Sequence, residues 1–377
     1  MEKSNQILSM SLLFIFRVKL LSAQCLDMRS RDISREPSSS PHSKNRIFFS
    51  IFLGVLTGLI CALLFALLLR YFVRHINRNP VLKVGPVVFS PRISRRTLNL
   101  ALCNDPQLLG SSPNGKYYKA VLDNGLNVAV KRLGPFSCAS SEAHSKRKIL
   151  QELRKLACLR HRNLMSLRAY VFESGVYSLV YDYVPMASLE DVMKKVRENQ
   201  LELKWEFRLR IAVGINKGLN YLHFCCDPRR LHYNLKPSNV ILDSEFEPRL
   251  ADCGLAAIFP GFVRASSGFN PPECFQNSRY TDKSDIYSFG MILGVLLTGR
   301  DPNDTSFGSM GEWLRQQIQQ DGEAREALDK RILVGQQVEQ DEMLMALRIA
   351  VVCLSDLPAD RPSSDELLSM LTQLNSF

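Results

Sequence analysis

An uncharged apolar run occupies residues 47–69, which are 23 positions without Asp, Glu, Lys or Arg. At about 1.5 Å per residue, an α-helix of that length crosses a hydrocarbon core of roughly 30 Å with some tilt. A buried core helix, the alternative interpretation, would present a polar face, but Ser50 and Thr57 are the only hydroxylated side chains in this run. The run therefore predicts a single transmembrane helix.

From about residue 98 onward, the apolar positions follow the periods of strands and helices. Residues 117–122 and 126–133 flank Asp123-Asn124-Gly125, where the glycine supplies the positive φ that a tight hairpin turn needs. The other predicted elements are a helix at 141–159, strands at 164–172 and 176–184, and helices at 205–224, 283–298, 341–354 and 363–374. Strands followed by helices predict an α+β fold.

The net charge of +11 belongs to one part of the chain only. Residues 1–100 contain 15 Lys or Arg and 4 Asp or Glu, whereas residues 101–377 contain 33 of each. A neutral body has no general attraction for a phosphate backbone, so a basic nucleic-acid-binding protein is disfavoured. With 46% hydrophobic and 23% charged residues, the chain has the composition of a folding protein.

The segment before the apolar run, residues 1–46, is rich in serine, proline and charge and is too short for a core of its own. Residues 7–16 have the character of a signal peptide, with Ser22-Ala23 near a cleavage point. Arg17 and Lys19 interrupt that pattern, so cleavage stays open. We expect a short extracytoplasmic segment and no ligand-binding ectodomain.

The basic residues after the run favour a cytosolic body. Lys and Arg number 8 before the run and 7 within residues 70–96, and only the second stretch lacks acidic residues. Residues 70–97 are therefore predicted to form a basic juxtamembrane linker that contacts anionic lipid. The ten cysteines show no metal-ligand spacing, which is typical of reduced cytosolic thiols.

Several short motifs follow one another along the neutral body. In order they are Gly110-Ser111-Ser112-Pro113-Asn114-Gly115, Val128-Ala129-Val130-Lys131, Glu152, His232-Tyr233-Asn234-Leu235-Lys236-Pro237-Ser238-Asn239, Asp252-Cys253-Gly254, Pro271-Pro272-Glu273, Asp285-Ile286-Tyr287-Ser288-Phe289-Gly290 and Arg361-Pro362. Each is weak alone, but their order and spacing resemble a eukaryotic protein kinase domain over residues 98–375. The resemblance implies a bilobal fold with a small β-rich N-lobe and a larger helical C-lobe.

Two further strings are similar to those of plant receptor-like protein kinases. They are Leu159-Arg160-His161-Arg162-Asn163-Leu164 and Leu179-Val180-Tyr181-Asp182-Tyr183. With the short N-terminal segment and His232-Tyr233-Asn234, the chain resembles a membrane-bound receptor-like pseudokinase of plants.

The resemblance assigns roles to residues that match the kinase pattern. It implies that Lys131 pairs with Glu152 and bridges the α- and β-phosphates of ATP. It also implies that Asn239 and Asp252 bind Mg²⁺ and that Lys236 neutralises the transferring phosphate. The implied nucleotide site is completed by Gly110 and Gly115 in the covering loop and by the backbone of Asp182 to Val184 beside adenine.

Other positions depart from that pattern. Asn234 stands where kinases have the catalytic aspartate, and an amide cannot take a proton from a substrate hydroxyl. Tyr233 replaces an arginine, so a phosphate on the activation segment loses its usual partner. Cys253 replaces a packing phenylalanine, and Ser112 with Pro113 makes close approach to phosphate harder. We therefore expect weak binding of ATP and Mg²⁺.

Two functions remain open at this stage. The first is a pseudokinase that acts by conformation and scaffolding and relays extracellular peptide signals in plant meristem maintenance, in a CLAVATA-type pathway. The second is a weakly active Ser/Thr receptor-like kinase, because phosphoryl transfer depends mainly on positioning and electrostatics. The resemblance implies a leucine-rich-repeat receptor-like protein as partner through the transmembrane segment, other receptor kinases as further partners, and the plasma membrane or endoplasmic reticulum as location. Gly54 and Gly58 lie four residues apart, which is the spacing that lets a second transmembrane helix approach the backbone closely.

Overall fold

The structure, a computed structural model, divides into two units, residues Met1–Pro80 and Val81–Phe377. It describes residues 42–78, 87–90, 93, 95–103, 106–134, 143–173, 176–185, 187–259, 262, 267–276, 279–301, 309–319, 323–333 and 339–374. The expected signal peptide and most of the expected juxtamembrane linker lie outside these residues.

The first unit contains one long helix, α1 (His42–Arg78), of 37 residues. Within it, Ile51–Arg70 is long and apolar enough to cross a membrane, and none of its side chains is buried. The helix therefore contains the candidate transmembrane span expected from the sequence. The hydroxyl of Thr57 donates to the carbonyl oxygens of Leu53 and Gly54, at 2.8 and 3.0 Å, so it is satisfied inside the helix.

The second unit begins with a six-stranded antiparallel sheet of order β1-β5-β6-β4-β3-β2. Its strands are β1 (Val87–Val88), β2 (Gln107–Ser112), β3 (Gly115–Val121), β4 (Asn127–Leu133), β5 (Leu167–Glu173) and β6 (Val176–Asp182). The predicted hairpin between β3 and β4 is confirmed: Gly125 has φ +77° and its amide donates to the carbonyl of Leu122 at 2.9 Å. Helices α2 (Arg95–Cys103) and α3 (Ala143–Ala157) complete this lobe.

Buried helices build the larger lobe. They are α4 (Leu189–Arg197), α5 (Trp205–Asn220), α6 (Leu255–Ile258), α7 (Pro272–Gln276), α8 (Asp282–Thr298), α9 (Met310–Gln319), α10 (Lys330–Leu333), α11 (Glu339–Cys353) and α12 (Ser364–Leu374). A two-stranded hairpin, β7 (Val240–Leu242) with β8 (Pro248–Leu250), carries the chain toward Asp252. The second half of helix α8, residues 289–297, is apolar on all sides because it packs inside the lobe.

The helix predicted at residues 205–224 is present, but its last turn has a different geometry from the rest. Helix α5 stops at Asn220, and Tyr221–Cys225 continue as one π-helical turn. That wider turn places His223 inside the protein, where 2% of its surface is exposed. The apolar periodicity persists through both segments, so sequence alone does not show the change of pitch.

Candidate functional site

The site lies between β4, which carries Lys131, and the segment after β8, which carries Asp252. The ammonium group of Lys131 is paired with Asp252 Oδ2, and the exposed fractions of the two side chains are 0% and 3%. The hydroxyl of Tyr117 on β3 donates to the same oxygen at 3.1 Å. The rings of Tyr117 and Phe262 lie 4.7 and 5.1 Å from the Lys131 nitrogen. Lys131 is therefore enclosed by groups of the protein itself.

Glu152 does not take part in this arrangement. Its carboxylate accepts from Lys155 at 2.6 Å, one turn further along α3, and lies 3.8 Å from Arg230. The expected Lys131–Glu152 pair is thus not formed in this structure. The physical reason is competition: Asp252 supplies a buried carboxylate to Lys131, while Lys155 and Arg230 supply cations to Glu152.

Burial dominates the electrostatics around Lys131. It lowers the pKa of Lys131, against the opposing effect of the Asp252 carboxylate, and the nearby Lys236 charge lowers it further. Burial and the charge of Asp252 together raise the pKa of Tyr117 well above its ordinary value, so the phenol stays a donor. The same two causes raise the pKa of Tyr181. The site is a dry, packed contact.

Asn234 is buried, with 1% of its surface exposed. Its backbone amide donates to His232 Nδ1 at 3.3 Å, and its carbonyl accepts from Asn239 Nδ2 at 2.7 Å. In the described part of the chain, neither polar atom of the Asn234 side chain has a hydrogen-bond partner. The hydrogen bonds of the loop therefore fix the main chain at position 234, while the side-chain amide of Asn234 makes no hydrogen bond in the described residues.

Asp285 on α8 anchors this loop. Its carboxylate accepts from the amides of His232 and Tyr233 at 2.8 and 3.2 Å, and from the hydroxyl of Tyr280 at 2.6 Å. His223 Nε2 lies 2.9 Å from it. Burial would raise the pKa of Asp285, but the contacts with His223, His232 and Tyr280 together hold it below its ordinary value. Asp285 therefore anchors the loop, and its partners His223 and Tyr280 belong to none of the motifs read from the sequence.

Two positive φ angles shape the same region, +67° at Tyr233 and +63° at Asp252. Non-glycine residues adopt this conformation rarely, so the surrounding bonds must enforce it. The amide of Ala251 donates to the carbonyl of Asn239 at 2.8 Å, which ties the two expected metal-binding segments together. The catalytic-loop backbone is thus held although Asn234 replaces the base.

The loop expected to cover a nucleotide is a tight turn between β2 and β3. Ser112 pairs with Gly115 across the turn, and the Ser112 hydroxyl donates to the Gly115 carbonyl at 3.2 Å. Gly115 has φ +142°, and a Cβ there would lie 2.0 Å from the carbonyl oxygen of Arg132. A Cβ at Gly110 would meet nothing within 4 Å. Gly115 therefore serves the packing of β3 on β4.

The segment expected to meet adenine lies at the end of β6. The Asp182 carboxylate binds Arg168 with two bonds, from Nε to Oδ1 at 2.9 Å and from Nη2 to Oδ2 at 2.6 Å. The Lys119 nitrogen lies 4.7 Å from the centre of the Tyr183 ring, and Val184 is buried. The side chains here stabilise the connection between the lobes' strands and the following segment, and the contact of this backbone with adenine stays a prediction.

These residues fit Mg-ATP only in part. Asp252 Oδ1 is buried without a hydrogen-bond partner in the described residues, and Asn239 stands nearby, so oxygen donors suited to Mg²⁺ are present. The described residues contain no group of three or more His, Cys, Asp or Glu that could hold a metal. Lys131, however, is committed to Asp252. A nucleotide would have to break that pair before its phosphates met Lys131.

Comparisons with known proteins agree with this picture. The family described as protein kinase domain matches residues 104–371. The inactive leucine-rich repeat receptor-like protein kinase CORYNE of Arabidopsis thaliana is 64% identical over 315 residues, which cover 81% of this chain and 78% of that protein. The leucine-rich repeat receptor-like serine/threonine/tyrosine-protein kinase SOBIR1 of Arabidopsis thaliana is 36% identical, and the match covers 77% of this chain but 49% of that protein.

A solved structure gives the same result at the level of the fold. The pseudokinase domain of BIR2, an immune regulator of the RLK/Pelle family, has a TM-score of 0.66 and 26% identity, and covers 81% of this chain and 93% of that domain. The expected kinase fold and the expected resemblance to a receptor-like pseudokinase are confirmed. The similarity to proteins named inactive kinase and pseudokinase also supports the expectation that this chain is not an active kinase. The chain belongs to the protein kinase domain family, among its receptor-like kinases.

Proposed function

We propose that this protein is a membrane-anchored receptor-like pseudokinase that relays extracellular peptide signals by conformation and scaffolding. The observation that carries the proposal is the closed contact of Lys131 with Asp252 and Tyr117, in a domain where Asn234 replaces the base. Loss of a general base costs on the order of 10²–10⁴ in rate. Lys131 and Glu152, being paired elsewhere, do not form the ion pair that an active kinase needs.

The second candidate is a weakly active Ser/Thr kinase, and one observation favours it. Lys236 and Asn239 lie on the loop that Asp285 holds in place, and the bond from the Ala251 amide to the Asn239 carbonyl ties the segment of Asp252 to that loop. An opened site would therefore bring together two metal-binding oxygens and a cation. In this proposal Mg-ATP binds weakly, because part of its binding free energy is used to break the Lys131–Asp252 pair.

An Asn234→Asp variant separates the two candidates. We expect no autophosphorylation of residues 81–377 with Mg-ATP, either in the wild type or in Asn234→Asp, because restoring the base does not bring Glu152 to Lys131. The measurement is ³²P incorporation against a Lys236→Ala control. Transfer that exceeds this control in the wild type would favour the weak kinase. Transfer that appears only in Asn234→Asp would mean that the missing base alone limits the reaction.

The remaining parts of the proposal concern the membrane. We propose an extracytoplasmic segment at residues 1–46, a span at 47–69, a lipid-contacting linker at 70–97 and a cytosolic kinase-like domain at 98–375, in the plasma membrane and endoplasmic reticulum. In this proposal a partner senses the peptide. The proposed partner is a leucine-rich-repeat receptor-like protein, and other receptor kinases are proposed as further partners. A role in meristem maintenance through a CLAVATA-type pathway completes the proposal, and it rests on the resemblance to membrane-bound receptor-like pseudokinases of plants. The neutral body supports no nucleic-acid role.

Partner binding is proposed to use the glycine face of α1. At both Gly54 and Gly58, a Cβ would meet no atom within 4 Å, so a second helix has room to approach the backbone. Gly54→Leu should therefore reduce co-immunoprecipitation of the receptor-like partner, while Leu53→Ile, an apolar exchange at the neighbouring position, should not. Equal recovery with Gly54→Leu would remove this face from the proposal.

A further inference from the structure

A cavity of about 330 Å³ opens beside the site, between α3, the segment before the catalytic loop and the start of α6. Part of its wall is apolar and includes Leu156, Leu231 and Ile258. Cys253 also lines it, and a thiol is smaller than the phenylalanine of the kinase pattern. The cavity can therefore receive an apolar side chain from outside.

The polar part of the wall is strongly basic. Four cations line it, Lys148, Lys155, Arg229 and Arg230, against one lining acid, Glu152, although Arg229 also pairs with Asp282 outside the cavity at 3.0 Å. The side chains of Lys155 and Arg229 are 43% and 52% exposed and Lys148 is exposed, so these three cations stand toward solvent, whereas Arg230 is 18% exposed and lies deeper. An apolar wall beside exposed cations suits a ligand that is both anionic and apolar.

We propose that this cavity binds a phosphorylated serine and the apolar residue next to it, from a segment of a partner protein. A phosphate carries about −1.5 to −2 charges and three acceptor oxygens at neutral pH, which matches an excess of cations better than a single carboxylate does. Arginine guanidinium groups bind phosphate with two parallel hydrogen bonds. Because three of the four cations stand toward solvent, the phosphate stays at the surface while the neighbouring side chain enters.

The position of Tyr233 makes this proposal specific to the present chain. Tyr233 stands where the kinase pattern has a phosphate-binding arginine, so the sequence alone predicts that phosphate binding is lost here. The structure places Tyr233 in the wall of the same cavity as Arg229 and Arg230. These two arginines lie on the segment just before the catalytic loop and supply guanidinium groups that position 233 lacks.

Glu152 gives the proposal a sharp consequence. Its carboxylate already holds Lys155 at 2.6 Å and stands 3.8 Å from Arg230. A bound phosphate must compete with it for both cations. Removing the charge of Glu152 should therefore strengthen phosphopeptide binding, which a general loss of folding cannot do.

The test uses the full chain in phosphatidylcholine nanodiscs and a fluorescent peptide with one phosphoserine followed by leucine. By fluorescence anisotropy, we expect it to bind about tenfold more tightly than its unphosphorylated form, since each charge-assisted contact contributes on the order of tenfold. Arg230→Gln and the exposed Lys148→Gln should reduce this difference to about twofold or less, and Glu152→Gln should raise it severalfold. Lys194→Gln, the same exchange on α4 away from the cavity, should leave it unchanged.

Several results would overturn the proposal. One is equal affinity for the two peptides, and another is an unchanged difference in both Lys148→Gln and Glu152→Gln. A loss in Lys194→Gln as large as in Arg230→Gln would show a general charge effect. If Arg230→Gln weakened binding to phosphatidylserine nanodiscs and left peptide binding intact, the ligand would be a lipid surface and the proposal would fail.

Discussion

Replacing Lys131 by methionine tests the closed site most directly. The variant leaves the Asp252 carboxylate buried, and the Tyr117 hydroxyl still donates to it. Removing one partner of a buried ion pair costs about 3–5 kcal/mol, because the other charge is left without compensation in a low-dielectric site. Lys131→Met is therefore expected to destabilise the domain strongly.

The expected change in melting temperature follows from the size of the domain. At about 2.1 cal mol⁻¹ K⁻¹ per residue, roughly 280 residues have an unfolding entropy of about 0.6 kcal mol⁻¹ K⁻¹. A loss of about 3–5 kcal/mol then lowers the melting temperature by about 5–8 °C. Scanning calorimetry of residues 81–377 measures this. Lys155→Met, which removes a lysine with a 43% exposed side chain, should shift it by less than about 1 °C.

A double variant isolates the pair itself. Asp252→Asn alone leaves the Lys131 ammonium buried and uncompensated, so it should be destabilising as well. Lys131→Met with Asp252→Asn removes both charges, and it should lose clearly less stability than the sum of the single variants. Strict additivity, or a Lys131→Met melting temperature within about 1 °C of the wild type, would refute the reasoning.

Two further predictions concern other parts of the domain. Glu273 forms two hydrogen bonds with the buried Arg361 at 2.7 and 2.9 Å. Burial would raise the Glu273 pKa, but these bonds together hold it below its ordinary value of 4.5. The unfolded chain then binds the proton more readily, so the stabilisation is present above pH 4.5 and is lost as pH falls through the lowered value. Glu273→Gln should be about 3–5 kcal/mol less stable at pH 7 by urea unfolding. That difference should shrink on acidification, and a difference independent of pH would contradict the assignment. Gly115→Ala should destabilise by about 1–3 kcal/mol, because the new Cβ meets a backbone oxygen at positive φ. Gly110→Ala, at an open position, is its matched control, and equal melting temperatures of the two variants would contradict this packing role.

The sequence predicted the fold where local patterns decide it. The Gly125 turn, the alternation of β3 and β4 and the apolar second half of α8 are local signals, and the structure has each of them. The order of the motifs also predicted that Lys131 and Asp252 lie in one site, although 121 positions separate them in the chain. Their direct pairing could not be predicted, because a motif fixes which residues meet and not which of two carboxylates a lysine selects.

That selection depends on contacts far apart in the chain. Arg230 and Lys155 satisfy Glu152, and Tyr117 with Phe262 encloses Lys131, yet none of these four belongs to a kinase motif. The cavity beside Cys253 could not be predicted from the sequence either, because its wall is built from residues far apart in the chain. Its cations come from α3 and from the segment before the catalytic loop, and only the fold makes them neighbours.

The anchoring of the catalytic loop by Asp285 has a consequence for how such proteins arise. Asp285 binds the loop through the amides of His232 and Tyr233 and is itself held by His223 and Tyr280, whereas the side chain at position 234 makes no hydrogen bond in the described structure. Replacing an aspartate by an asparagine at position 234 therefore removes a catalytic group without breaking a hydrogen bond that holds the loop. A lineage can give up phosphoryl transfer in one such step and keep every surface that its partners recognise.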